Sequence, residues 1–311
     1  MTAVALPTVA GPRTASSVWP LARLEARRYA RHPLFQIGFA LGVVASAGER
    51  GPNEFDYHVI PSFFIGVFGI IVAARLTAST QRSRSIVDAA PTSQTQRTAA
   101  LCLACLVPAA AGLVLVVLHR AFVLADPIPP WKYGTYGAFD RFLITMVVPV
   151  IACAGGPLLG VAVGRWLRFP ASGLLTVTTV LAWSNIAAAV PEQSRLDPAS
   201  PFARVLHVLA PYTSFAEGNN DLGVPLTRVR SYTGSVTWFA VWTLTLCGLA
   251  ATAALWHGAV DRARRVVGRT FTVLAVAALI ALVATVLTGN QRQYDTTTTG
   301  TSTAASSSSG G

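Results

Sequence analysis

The chain has 311 residues, 52% of them hydrophobic and only 12% charged, with a net charge of +11. Soluble domains hold about 25% charged residues, so an ordinary water-soluble globule is excluded. Apolar runs close to the roughly 20 residues that cross a bilayer recur along it. The basic excess then reports orientation and anionic headgroups, since no nucleic-acid motif accompanies it.

Residues 1–15 bear Pro, Thr and Gly and are expected to be disordered. They hold no basic stretch before an apolar core, so no secretory signal is expected there. Ser16 or Ser17 can cap a helix with Pro20 in its first turn, running over residues 17–31. Arg23, Arg27 and Arg31 repeat every fourth residue on one side, with Arg28 beside them. Val18, Leu21, Ala22 and Tyr29 fall opposite, and Glu25 and Arg28 interrupt that apolar side. Such a helix either lies in the membrane interface or is simply a positive flank that fixes topology.

A first span is predicted at 34–48, with Gly38 and Gly42 four apart for close helix approach. A second follows at 59–80, where Arg75 can snorkel to the inner face. Residues 81–101 are polar and basic, with Arg82, Arg84 and Arg97 and the turn signal Ala90-Pro91-Thr92-Ser93. From the residues alone this is either an ordinary cytoplasmic loop or a small helix under the membrane that touches something soluble. The third span is predicted at 98–124, with His119 and Arg120 as interface residues near its outer end. Its Cys102-x-x-Cys105, like Cys153 and Cys247, reads as small buried thiols rather than a redox pair.

The fourth span, 142–164, carries Gly156, Gly160 and Gly164 at four-residue spacing, a bare stripe for a neighbouring helix. Pro157 should kink it unless neighbours restore the lost bond. Arg165 and Arg168 close it on the inside. The fifth span is predicted at 171–190, with Asn185 suited to an interhelical hydrogen bond or a substrate contact. In the long connection after it, Phe202, Val205, Leu206 and Leu209 form one apolar helix face. The sixth span is placed at 236–257. Arg262, Arg264, Arg265 and Arg269 follow, then an additional apolar run within 258–288, and a Thr/Ser/Gly-rich tail over 289–311 expected to be flexible.

With the N-terminus inside, 15 of the 24 Lys and Arg fall on the inner side. The expected fold is therefore all-α: a polytopic transmembrane helical bundle with six core spans and a seventh at the C-terminal end.

The run Ile86-Val87-Asp88-Ala89-Ala90-Pro91-Thr92-Ser93 with Arg97 resembles the cytoplasmic loop motif of ABC-2-type permeases, the membrane subunits of bacterial ABC exporters. The resemblance spans residues 16–257 and differs by Arg82-Ser83-Arg84 before the motif and by the seventh span. It implies that Ile86, Val87, Asp88, Pro91, Thr92 and Arg97 form a coupling helix that docks on an ATPase subunit. It implies that residues 17–31 are an elbow helix, with Arg23, Arg27, Arg28 and Arg31, and that Phe202, Val205, Leu206 and Leu209 belong to an outer gate helix. The implied setting is a bacterial cell membrane with the N-terminus cytoplasmic. Implied partners are the ATPase, a second permease (identical or not) and membrane lipid. The implied cargo is a lipophilic or amphipathic drug, lipid or peptide.

No phosphate loop is present: the only lysine, Lys132, lacks the glycines that would precede it. ATP and Mg would therefore sit on the partner, with no cofactor or metal in this chain. No protease or hydrolase motif occurs either. Two other classes stay open. A membrane enzyme acting on lipid would use the outer residues Glu49, Glu54, Asp56 and His58; a non-transporting membrane partner would need no site at all.

Overall fold

The computed structural model describes residues 18–48, 59–82, 92–123, 138–167, 169–193, 201–209, 216–218, 228–233, 235–288 and 290–295. They are almost entirely helical. The elements are α1 (Val18–Ala30), α2 (Pro33–Gly48), α3 (Val59–Pro61), a π-helical stretch (Ser62–Val67) and α4 (Phe68–Arg82). Then come α5 (Gln94–Ala104), α6 (Leu106–Val123), α7 (Ala138–Phe142), a second π stretch (Leu143–Val147) and α8 (Val148–Trp166). The rest are α9 (Ser172–Gln193), α10 (Pro201–Leu209), α11 (Val236–Gly258) and α12 (Asp261–Leu287). A small antiparallel ribbon, β1 (Ala216–Gly218), β2 (Arg228–Thr233) and β3 (Asn290–Asp295), is the exception. Its third strand draws on the tail expected to be flexible, and β2 supplies the edge that β3 pairs with from Arg228 to Thr233.

Five helical stretches are long and apolar enough to cross a membrane: Ser62–Thr80, Gln94–Ala121, Ala138–Trp166, Val236–Gly258 and Asp261–Leu287. Two shorter apolar helices, Pro33–Gly48 and Ser172–Ala187, pack beside them. The outward face of α12 exposes Val273, Val276, Leu279, Ile280 and Val283, a surface suited to hydrocarbon and not to water.

Helix starts are set by caps that hydropathy does not register. Ser93 closes a capping box: its Oγ accepts from Gln96 N at 3.2 Å, and Gln96 Oε1 accepts from Ser93 N at 2.9 Å. Helix α5 therefore begins at Gln94, before its apolar run. The α12 helix takes in the arginine cluster because Asp261 opens it directly after a two-residue turn at Ala259 and Val260. Asp261 holds φ 46°, a left-handed conformation that Asp tolerates better than most residues.

The glycine stripe of α8 faces the second membrane helix. A methyl on Gly156 would strike the Gly66 carbonyl, one on Gly160 the Ile70 carbonyl, and one on Gly164 would come within 2.9 Å of Thr77 Cβ. Two backbones thus lie in contact over two turns. The α8 helix runs through Pro157, whose ring fills the space left by Gly69. The π stretch just before Pro149 was not foreseen. There Val148 N–H bonds the Leu143 carbonyl five residues back, which widens the turn ahead of a residue with no N–H to give.

Candidate functional site

Helix α1, the end of α4 and the start of α5 meet at one end of the bundle. Residues 83–91 connect the last two, and with them Ile86, Val87, Asp88 and Pro91 lie outside the described residues. The outer acids 49–58 do as well. What is described is the frame on both sides of the loop.

One face of helix α1 is buried in the protein. Ala22, Glu25 and Tyr29 are its buried positions. Glu25, which interrupts the apolar side in sequence, is only 5% exposed and lies under the Arg28 guanidinium at 2.9 and 3.1 Å. The second guanidinium nitrogen of Arg28 donates to Ser79 Oγ at 3.4 Å, on the last turns of α4. The same helix packs along α5, on the far side of the loop. It therefore spans both flanks of residues 83–91. Arg23 stands 5.7 Å over the Trp19 ring, and Arg27 and Arg31 are exposed.

Tyr29 fixes this helix to the core. It is 1% exposed, stacks edge-on with Phe35 at 5.2 Å, and its hydroxyl points to the Gly69 carbonyl at 3.5 Å. Around it lie Val72, Leu76, Leu101 and Val161 from three helices. Nothing in the spacing of residues 17–31 distinguishes Tyr29 as an anchor; a large aromatic placed at a helix end ahead of an apolar span was the only signal. The adjacent His32 caps α2, its Nδ1 accepting from Leu34 N at 3.3 Å. Burial first, and the nearby Arg75 guanidinium second, lower its pKa below the ordinary imidazole value. Neutral His32 is the form that can accept this bond.

On the exit side of the loop, Arg97 Nε donates to Thr92 Oγ1 at 2.9 Å. Thr95 Oγ1 donates to the Gly258 carbonyl at 2.8 Å. Gln94 packs on Gly258 closely enough that a methyl there would lie 3.2 Å from its Cγ. The end of α11 is thus fastened to the beginning of α5. The end of α8 joins the same place: Trp166 Nε1 donates to the Ala253 carbonyl at 3.0 Å, and its ring meets His257 edge-on at 5.4 Å. Arg165, expected to close the fourth span on the inside, is 3% exposed.

At the opposite end, α10 is tied between two helices. Trp183 Nε1 on α9 donates to the Leu209 carbonyl at 2.9 Å. An Arg204 guanidinium nitrogen donates to the Val286 carbonyl of α12 at 3.4 Å, one of the last carbonyls of a helix, which lack partners within it. Val208 is the residue fully buried, with Val205 and Leu209 packed beside it and Leu206 half-buried; Phe202 is 59% exposed. His119 is likewise buried, not at a wet interface. Asn185 Nδ2 donates to the Leu181 carbonyl of its own helix at 2.8 Å, and its side chain is exposed. Gly38 and Gly42 abut Phe64 and Leu115.

Among the described residues no group of three or more His, Cys, Asp or Glu is gathered as a metal site would require. The four cysteines are free. No protein-family model matches the chain, and no curated protein matches it.

Proposed function

We propose that this chain is the membrane subunit of an ATP-driven exporter, taking mechanical work from a separate ATPase docked at residues 82–97. The observation that carries the proposal is the bracing of that loop on both sides by one helix. Arg28 reaches Ser79 before it, and α1 packs on α5 after it. A loop that only joined two spans would need no such brace.

In this reading six or seven helices cross a bacterial cell membrane with the N-terminus cytoplasmic. A second permease, identical or not, completes the path. The chain itself has no catalytic role, and ATP and Mg belong to the partner. A push on residues 83–91 passes through Thr95 to Gly258, along the α11–α12 hairpin, and through Val286 to Arg204 on the outer helix. The exported compound in this reading is lipophilic or amphipathic, as the resemblance to ABC-2-type permeases implies.

The test is purification from detergent followed by reconstitution. An ATPase should co-purify. Changing Asp88 or Pro91 should leave ATP turnover running while export falls. Normal export with residues 85–92 scrambled would end the proposal.

A further inference from the structure

A half-open slot of about 460 Å³ runs between α8 and α11, with the second membrane helix and α9 behind it. It begins at Val148 and Phe239 and ends at Ala162 and Ala253, with Phe271 of α12 at its foot. Fourteen residues separate the ends on each helix, so the slot is about 21 Å long. That length suits an extended hydrocarbon chain. Its walls are almost wholly apolar, and the Thr243 hydroxyl bonds carbonyls of its own helix, at 3.0 and 3.1 Å. An unfilled slot would forfeit the dispersion contacts of its lining.

The foot of the slot has a charge of defined sign. Phe271 stacks on Trp256 with ring centres 5.7 Å apart. Arg264 lies two turns before Phe271 on the same face of α12, about 10 Å further along. Arg262, Arg265 and Arg269 are exposed around it. A chain in the slot would place its polar end among these arginines.

We propose that the slot holds one acyl chain of an anionic phospholipid whose headgroup rests on Arg264 and its neighbours. The inference rests on the membrane-embedded half of the function proposed above and not on the ATPase, so either can fail alone. Arg264 serves as headgroup ligand. The small side chain of Ala250 leaves room for the chain.

The test uses the full-length protein in nanodiscs carrying a trace of phosphatidylglycerol with a diazirine at mid-chain. After irradiation, adducts are mapped by peptide mass spectrometry. Adducts within 151–159 and 246–253 should exceed those on the outward face 273–283 by about fivefold, because a slot buries most of its ligand. Ala250→Phe, which fills the slot, should bring the two to the same level. Arg264→Glu, or a phosphatidylcholine probe with the same chains, should lower slot adducts roughly threefold, as expected for a lost basic contact. Equal labelling of slot and outward face in the unmodified protein overturns the chain site, and this comparison needs no variant to fold. Slot labelling indifferent to both Arg264→Glu and the headgroup overturns the anionic assignment. Co-purification of an ATPase is scored separately and bears on neither outcome.

Discussion

Thr95 Oγ1 and the Gly258 carbonyl meet at 2.8 Å although 163 residues separate them in the chain. The bond joins the first turn after residues 83–91 to the last residue of α11. Both groups are partly buried, so the carbonyl has little water to turn to if the hydroxyl is removed.

Thr95→Val keeps the shape and deletes the donor. We expect a loss of about 1 kcal/mol in stability. With an ATPase bound, we expect export to fall several-fold more than ATP turnover, by the coupling logic that a shared contact carries between two sites. Paired transport and ATPase assays in proteoliposomes read both. Equal losses would place Thr95 outside the transmission route.

The contact between α8 and the second membrane helix sets a sharp contrast between glycines. Gly160→Ala drives a methyl at the Ile70 carbonyl and should cost about 1–3 kcal/mol. Gly268→Ala meets nothing within 4 Å on α12 and should gain about 0.5–1 kcal/mol, the usual benefit of Ala over Gly in a helix. Thermal unfolding in detergent should order the two variants on opposite sides of the parent.

Tyr29 should be sensitive to size and not to its hydroxyl. Its 3.5 Å approach to the Gly69 carbonyl is at the long limit of a hydrogen bond, so Tyr29→Phe should cost about 0.5 kcal/mol or less. Tyr29→Ala empties a buried site among three helices and should cost about 3–5 kcal/mol. Protease accessibility of residues 18–30 gives a local readout, rising only in the second variant.

His32 gives the elbow a pH dependence. Its folded pKa lies below the ordinary imidazole value, so the unfolded chain takes up the proton first. Stability is then lost as pH falls through about 6.5, and is unaffected above it. His32→Asn retains an acceptor for Leu34 N–H but has no proton to gain. Its melting temperature should be flatter than the parent's between about pH 7 and 5.

Arg204 should govern the outer helix. Arg204→Leu removes the 3.4 Å contact with the Val286 carbonyl, long for a hydrogen bond and worth about 1 kcal/mol. Hydrogen exchange should quicken across 201–209 and stay unchanged in α5. Faster exchange in both would mean global loosening instead.

The apolar helices were legible because a bilayer imposes a length and a composition that can be read residue by residue. The close contact of Gly156, Gly160 and Gly164 was legible for a similar reason: only glycine leaves a bare stripe at that spacing. The pairing of Glu25 with Arg28, three residues on, is local and could have been read from spacing; its burial comes from the fold. Asn185 was expected to reach another helix; the Leu181 carbonyl, one turn back, satisfies it locally. His119 was expected at a solvated interface and Arg165 at the inner end of its span, yet both are covered by neighbours that hydropathy cannot position. The loop around Asp88 and Pro91 lies outside the described residues, and the contacts of Arg28 and Thr95 on either side of it come from geometry alone.

The last two long helices are closed at both ends. Ala259 and Val260 turn the chain at one end, and Ser235 N bonds the Thr285 carbonyl at 3.4 Å at the other. Joined at both ends and packed along their length, the two helices cannot part at one end without breaking a contact at the other. Gly258 and Val286 occupy opposite corners of this pair, so the partners of each, Thr95 and Arg204, are held to one unit.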